Sequence, residues 1–139
     1  MSEVLVKNKS DQRYKHNILV GDHSFLADAP KEHGGDEIGP APHDLLLAAL
    51  GACTSMTIRM YAERKEWPLT GVTVKLHEDK VVDPENDSRT IPHIVRDVTL
   101  EGELTDEQVE ALKAIADKCP IHKLISGKKE ISTLVARAN

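Results

Sequence analysis

An almost uninterrupted apolar run at residues 45–56, Leu-Leu-Leu-Ala-Ala-Leu-Gly-Ala-Cys-Thr-Ser-Met, constrains the fold of this chain most strongly. The run is too short to span a bilayer, and a helix that is hydrophobic on every side must be buried. Because the residue before a proline avoids helical angles, Pro68 predicts a helix over residues 43–66. We therefore expect a long buried helix near the middle of the molecule, and it carries Cys53.

Composition and charge indicate one globular domain, residues 1–139, with 40% hydrophobic and 29% charged residues. The net charge of -5, without a dense Lys/Arg cluster, argues against a nucleic-acid partner. The N-terminus lacks a basic segment followed by an apolar run, so we expect no signal peptide, no membrane segment and a cytoplasmic location. In that compartment two cysteines are more often reactive or inert than a permanent structural disulfide.

Short alternating runs on both sides of the long helix predict β-strands. Before the helix they lie at residues 4–7, 14–20 and 24–27, with a hairpin turn at Gly21-Asp22. After it they lie at residues 71–77, 91–100 and 131–136, and residues 81–90 are predicted to be a polar connection. This order favours an α+β fold with mainly antiparallel pairing.

The remaining connections carry loop and helix signals. Residues 30–42 are rich in Gly and Pro and predict a loop. Thr105 and Gln108 form a capping-box pattern ahead of an amphipathic helix. Cys119-Pro120 ends that helix, and a short helix is predicted to follow.

The two cysteines have different predicted surroundings. Proline favours the first helical position, so Pro120 places Cys119 at an N-cap, where unpaired N–H groups lower a thiol pKa below its usual value of about 8.5. Burial alone would raise the pKa of Cys53, which is either core filler or a nucleophile activated by a group from the 30–42 loop. Cys119 and His122 have ligand-like spacing, but no second close ligand pair exists, and we expect no metal.

Four motifs together resemble the OsmC/Ohr family, and the closest likeness is to its OsmC-like branch. They are Gly34-Gly35, Gly39-Pro40-x-Pro42, the segment 45–54, and Cys119-Pro120-Ile121-His122. The resemblance implies an intertwined α+β homodimer with two mainly antiparallel sheets wrapped around long central helices. It also implies a thiol-dependent peroxidase that reduces organic hydroperoxides and, less efficiently, hydrogen peroxide in the oxidative stress response.

The same resemblance assigns roles to the two cysteines. Cys53 would be the peroxidatic cysteine, which the peroxide converts to a sulfenic acid. Cys119 would be the resolving cysteine that closes a disulfide with Cys53. An external dithiol, of the lipoyl type in some members, would reopen this disulfide. Neither a metal nor an organic cofactor is implied.

The family peroxidases also carry a glutamate ten residues before the reactive cysteine and an arginine further upstream. Here His43 occupies the glutamate position and Asp44 follows it, while Lys31 lies at or near the arginine position, with Arg13 as another source of charge. His43, Asp44 and Lys31 are therefore the candidate thiolate-activating residues. The departures also motivate an alternative, a non-peroxidatic redox-sensing or small-molecule-binding protein on the same scaffold.

Helix geometry bears on where His43 could act. Ten residues of helix separate it from Cys53 by roughly 15 Å along the axis, too far for contact within one chain. The small residues at positions 48, 49, 51 and 52 would let a second copy of the helix cross antiparallel at close range. We expect each His43 to approach the partner's Cys53 across a two-fold interface.

Overall fold

The computed structural model describes residues 3–138 of the chain. Its elements in order are β1 (Val4–Lys7), β2 (His16–Val20), β3 (His23–Ala27), α1 (Pro42–Arg64), β4 (Gly71–Asp83), β5 (Asn86–Glu101), α2 (Asp106–Ala116) and α3 (Pro120–Ser126). The chain forms two compact units, residues 1–49 and 50–139, and α1 begins in the first and continues in the second. The predicted α+β class with antiparallel pairing is confirmed. The single domain stays a prediction.

The first unit contains a three-stranded antiparallel sheet in the order β1-β2-β3. The central strand β2 pairs with β1 and with β3, so that Val20 lies opposite both Val4 and His23. Gly21 adopts a positive φ of 57°, which glycine accommodates without steric cost in the tight turn between β2 and β3. The predicted hairpin is therefore confirmed.

Asp28, directly after β3, organises the loop that leads to α1. Its side chain is buried, and its carboxylate accepts hydrogen bonds from the backbone N–H groups of Ala29 at 2.7 Å, Asp36 at 3.1 Å and Ile38 at 3.4 Å. A side chain at Gly35 would collide with the backbone carbonyl of Ala29. The loop predicted over residues 30–42 is thus an ordered segment built around one carboxylate.

The second unit contains a two-stranded antiparallel ribbon, β4-β5, which is longer than the sequence indicated. The prediction of a polar connection over residues 81–90 is wrong, because β4 continues to Asp83 and β5 begins at Asn86. Asp83 closes the turn by accepting hydrogen bonds from the Glu85 N–H at 2.9 Å and from Arg89 Nε at 2.6 Å. Cross-strand pairing at the ribbon outweighs the local turn preference of its polar residues.

The core of the second unit lies where α1 and α2 pack together. Five residues are buried there, Ile58, Ala62, Leu69, Leu112 and Ala116. Partly buried residues of the ribbon and its flanks pack against them, among them Val72, Val98 and Leu100. The predicted capping box fixes the start of α2, since Thr105 Oγ1 accepts from the Gln108 N–H at 3.1 Å and Gln108 Oε1 accepts from the Thr105 N–H at 2.9 Å.

Helix α1 is buried on one stripe only, so the prediction of a helix buried on all sides is wrong for the single chain. The stripe consists of Leu50, Gly51, Thr54, Ile58 and Ala62. Leu46, Met56 and Met60 are exposed. The stripe follows the i, i+4 spacing of one helix face, which is the surface that a single packing partner can cover.

The length of α1 also corrects the sequence argument about membranes. The apolar run alone is too short for a bilayer, but the 23-residue helix is long and apolar enough to cross one by length and composition. Buried helices of soluble proteins pass the same test.

The strand predicted over residues 131–136 is wrong, because residues 128–138 form no regular secondary structure. Ile131, Leu134 and Val135 are 85%, 99% and 92% exposed. A strand forms when its backbone N–H and C=O groups pair with a neighbouring strand, and alternating hydrophobic residues do not supply that neighbour. The predicted homodimer stays a prediction.

Candidate active site

The two cysteines meet within the second unit. Cys53 lies in the middle of α1, and Cys119 is the N-cap residue of α3. Both are free thiols, and their side chains interact directly with each other. Cys119 is 0% exposed, whereas Cys53 is half-buried. Of the two residues, Cys53 is therefore the one that solvent reaches.

Cys119 lies where several donors converge. Burial raises the pKa of this thiol, but hydrogen bonds from Cys53, from the N–H groups of His122 and Ile121 and from Thr54 outweigh it, and the pKa lies below its usual value. The His122 N–H is 3.4 Å from Cys119 Sγ. The N-cap predicted from Cys119-Pro120 is therefore confirmed, and the N–H groups of the cap act in the direction expected for the pKa of the thiol.

Cys53 has the opposite tendency. Burial raises its pKa, and the neighbouring Cys119 raises it further, because two thiolates side by side repel each other. The Ile121 N–H and the Thr57 hydroxyl lower the pKa, but the net direction is upward. With the pKa of Cys119 lowered and that of Cys53 raised, Cys119 is the thiol that ionises more readily.

Arg96, which sequence reasoning missed, connects to this pair from β5. Its Nη1 donates to Thr54 Oγ1 at 3.1 Å, and its Nη2 donates to Asp117 Oδ1 at 2.8 Å. Thr54 is fully buried, lies beside Cys119 and lowers the pKa of that thiol. The Arg96 side chain is only 13% exposed. One signal was available, since Arg96 occupies the same alternating face of β5 as residues 94, 98 and 100, which are apolar.

The other predicted site residues belong to the first unit. Asp44 Oδ2 accepts from the Ala41 N–H at 3.1 Å and so fixes the start of α1. Lys31 begins a single helical turn, Lys31–His33, and its backbone N–H donates to Glu37 Oε2 at 2.9 Å. His43 is exposed in the first turn of α1. The action of these three residues on Cys53 stays a prediction.

Metal coordination was the competing use of Cys119 and His122. Within residues 3–138, no three His, Cys, Asp or Glu side chains lie close enough together to hold a metal ion. His122 instead contacts Cys119 through its backbone N–H, and its ring Nδ1 lies 4.0 Å from Asp117 Oδ1.

Comparison with known proteins identifies the family. The model of the family described as OsmC-like protein matches residues 33–133, which include both cysteines. The chain belongs to the OsmC-like family. A search of the curated proteins found no match.

Solved structures with the same fold agree with this membership. An OsmC-like protein from Mycoplasma pneumoniae is 16% identical, with a TM-score of 0.72 over 91% of this chain and 88% of the other. An organic hydroperoxide resistance protein OsmC from Legionella pneumophila is 22% identical, with a TM-score of 0.67 over 91% and 90%. The organic hydroperoxide resistance protein OhrB of Bacillus subtilis is 18% identical, with a TM-score of 0.63 over 91% of each chain. At these identities the likeness establishes the fold.

Proposed function

We propose that this OsmC-like protein is a cysteine-based peroxidase that reduces organic hydroperoxides and, less efficiently, hydrogen peroxide. The observation that carries the proposal is the contact between two free thiols, one accessible and one fully buried. Two adjacent thiols can together give the two electrons that cleavage of one O–O bond requires. Two of the compared structures are named as organic hydroperoxide resistance proteins, which supports the same chemistry.

Cys53 is the peroxidatic cysteine in this proposal, because solvent reaches this residue and does not reach Cys119. Its proton passes to the adjacent Cys119 thiolate. The Cys53 sulfur then attacks one peroxide oxygen, the O–O bond breaks, and the alkoxide leaves with the bonding pair. The alkoxide takes the proton from Cys119 and becomes an alcohol. Cys53 is now a sulfenic acid and Cys119 is again a thiolate.

Cys119 is the resolving cysteine. Its thiolate attacks Cys53 Sγ, an S–S bond forms, and hydroxide leaves and becomes water with a proton from solvent. The balance is one hydroperoxide and two thiols converted to one alcohol, one water and one disulfide. An external dithiol, for which we propose the lipoyl type, returns the disulfide to two thiols and is itself oxidised to a cyclic disulfide. No metal or organic cofactor takes part.

We further propose that the protein acts as a homodimer in the cytoplasm. In the most apolar 18-residue stretch of α1, only 28% of the residues are buried in the single chain, which leaves a large hydrophobic surface to cover. A second copy suits this surface better than a membrane does, because the second half of α1 carries Arg59, Glu63 and Arg64, which are costly inside a bilayer. The net charge of -5 supports small-molecule substrates over a nucleic-acid partner.

The raised pKa of Cys53 favours a second candidate, a redox-sensing or small-molecule-binding protein on the same scaffold. A mostly protonated thiol reacts slowly with peroxide, since the thiolate is the nucleophile.

One experiment distinguishes the two functions. The reduced protein is mixed with one equivalent of cumene hydroperoxide or hydrogen peroxide, quenched with acid and examined by mass spectrometry. The peroxidase forms a Cys53–Cys119 disulfide, faster with the organic peroxide, and dihydrolipoamide reverses it. Thiols that stay reduced for many minutes would contradict the peroxidase and favour the binding protein.

A further inference from the structure

The Thr54 hydroxyl has three polar neighbours and one hydrogen to donate. Its oxygen accepts from Arg96 Nη1 at 3.1 Å, so its own hydrogen must go to one of the two acceptors beside it. One acceptor is the Leu50 carbonyl at 2.7 Å, four residues earlier in α1, and the other is Cys119 Sγ. Because Thr54 is fully buried, no water offers a third choice.

The charge on Cys119 decides between these acceptors. A thiolate is a stronger acceptor than a backbone carbonyl, whereas a thiol or a disulfide sulfur is a weaker one. The Leu50 carbonyl loses little when the hydroxyl turns away, since a helix carbonyl also accepts from the N–H four residues later. The hydroxyl can thus turn between Leu50 and Cys119 as the sulfur gains and loses its charge.

Arg96 holds the Thr54 oxygen in place while the hydroxyl turns between its two acceptors. A guanidinium that donates to the Thr54 oxygen fixes the oxygen and polarises its O–H bond, which strengthens the bond that the hydroxyl donates. Asp117 holds the other arm of the guanidinium at 2.8 Å, so the side chain is anchored at both of its donating nitrogens. The Arg96 charge therefore acts on a buried sulfur through one intervening hydroxyl.

We propose that Arg96 acts through the Thr54 hydroxyl to hold Cys119 as a thiolate, both when Cys119 closes the disulfide and when it leaves on reduction. Arg96 and Thr54 are thus positioning residues of the cysteine pair. The inference deepens the proposed peroxidase, and its role in turnover rests on that function.

The reductive step gains most from this arrangement. Because Cys119 is fully buried and Cys53 is accessible, the thiolate of an external dithiol attacks Cys53 Sγ. The S–S bond breaks and Cys119 departs with the electron pair as a thiolate. A thiol of lower pKa leaves faster in such an exchange. The second thiol of the reductant then displaces Cys53 and closes the cyclic disulfide.

The charged and titratable groups that face Cys119 come from each neighbouring element. Helix α1 contributes Cys53, β5 contributes Arg96, the segment before α3 contributes Asp117, and α3 contributes His122. Asp117 is 68% exposed, so solvent screens much of its negative charge, whereas Arg96 is nearly buried. Of these two charges, that of Arg96 is therefore less screened by solvent.

The test titrates Cys119 by the ultraviolet absorbance of its thiolate, in a Cys53→Ser background with one remaining thiol. With one Trp and two Tyr in the chain, the aromatic background is small. Arg96→Met removes the charge, and Thr54→Val removes the hydroxyl at equal volume. We expect each substitution to raise the midpoint of the Cys119 titration by about one pH unit. At pH values well below the midpoint, the fraction of Cys119 present as thiolate then falls about tenfold. Thr54→Ser keeps the hydroxyl and should titrate like the parent.

A matched control is Arg89→Met, which removes an arginine of the same strand that also pairs with an aspartate. Arg89 lies seven residues from Arg96, about 23 Å along an extended strand, and its loss should leave the midpoint unchanged. Because Arg96 and Thr54 act in series, the double variant should shift the midpoint no further than the larger single shift. Unshifted midpoints in Arg96→Met or Thr54→Val, or fully additive shifts, would overturn the proposal.

A second measurement follows reduction of the disulfide in proteins that retain both cysteines. The disulfide is formed with diamide, which is not a peroxide, and the rate of its reduction by dihydrolipoamide is recorded. Arg96→Met and Thr54→Val should each slow reduction by roughly threefold or more, and Arg96→Lys by less. Equal rates in all variants would contradict the leaving-group role. Neither measurement uses a hydroperoxide, so failure here is distinguishable from failure of the peroxidase.

Discussion

Cys53 and Cys119 interact directly, and the more exposed residue of the two, Cys53, has the higher thiol pKa. The accessible sulfur is therefore protonated and the buried sulfur is the one that ionises more easily. A peroxide or a reductant meets Cys53 first, and Cys119 serves as the acceptor of its proton. Cys53 is thus the exposed residue and Cys119 the more acidic one, and the predictions for the two cysteines depend on this difference.

Cysteine substitutions should give two distinct losses of peroxide consumption. Cys53→Ser should abolish it, because no accessible sulfur remains. Cys119→Ser should allow at most one turnover, after which mass spectrometry detects one added oxygen on Cys53. The assay is consumption of cumene hydroperoxide with excess dihydrolipoamide. If the variant lacking both thiols consumed the peroxide as fast as wild type, the proposed function would be wrong.

The first oxidation of Cys53 should accelerate with pH. In the proposed mechanism the Cys119 thiolate takes the Cys53 proton, so the rate should rise about tenfold per pH unit below the pKa of Cys119 and level off above it. Because the pKa of Cys119 is lowered, this plateau should begin below the ordinary thiol value of about 8.5. Quenched-flow measurement of sulfenic acid plus disulfide gives this rate. A rate that still rose about tenfold per pH unit above about pH 8.5 would show that Cys119 does not accept the proton.

Asp28 should stabilise the first unit in a pH-dependent way. Burial raises its pKa, but hydrogen bonds from the N–H groups of Ala29, Ile38 and Asp36 outweigh burial, so its pKa in the folded protein is lowered. Its contribution is therefore fully present above the unfolded value of about 3.9 and is lost as the pH falls through the folded value.

Asp28→Asn should consequently lower the free energy of unfolding at neutral pH, and the difference from wild type should shrink at acid pH. Urea unfolding at a series of pH values measures both. Glu32→Gln, an exposed change in the same loop, is the control and should have little effect. A stability difference that is constant with pH would contradict the assigned role.

Gly51 allows α1 to approach β4. A Cβ there would lie 2.7 Å from Leu76 Cδ1, so the leucine side chain would have to shift. Gly51→Ala should be nearly neutral, because about 1 kcal/mol of helix propensity offsets this contact. Gly51→Val should cost about 1–3 kcal/mol through overpacking, whereas Ala114→Val at an exposed position of α2 should cost less than about 1 kcal/mol. The melting temperatures of the three variants, measured by thermal unfolding, should follow this order of stability.

Met60 tests the homodimer. It is 60% exposed in the single chain, so Met60→Glu should hardly change a monomer. If α1 is covered by a second copy, the buried carboxylate should dissociate the pair. Sedimentation velocity gives the mass in each case, and Lys118→Glu on the exposed surface is the control. A wild-type protein that sediments as a monomer would refute the dimer.

Features with a strong local signal could be predicted from the sequence. The Gly21 turn, the capping box at Thr105 and the N-cap at Cys119 each depend on residues within a few positions of one another. The family motifs, which are also local, led to the correct fold. These features were found because the physical cause and its sequence signature lie in the same short segment.

Features that depend on distant partners could not be predicted. Arg96 has its partners 42 and 21 residues away, at Thr54 and Asp117, and no local pattern indicates either. The length of the ribbon was missed because pairing between β4 and β5 extends strand structure through residues with turn preference. The sequence also assigned a strand to residues 131–136, for which the single chain supplies no pairing neighbour.

The exposed apolar side chains of residues 131–135 have a consequence for how the protein would be handled in the laboratory. If a second copy covers them, folding and association form a single equilibrium, and the melting temperature must rise with protein concentration. Dilution would then lower the melting temperature of the protein without any change in solvent. Stability values obtained at different concentrations could be compared only after correction for mass action.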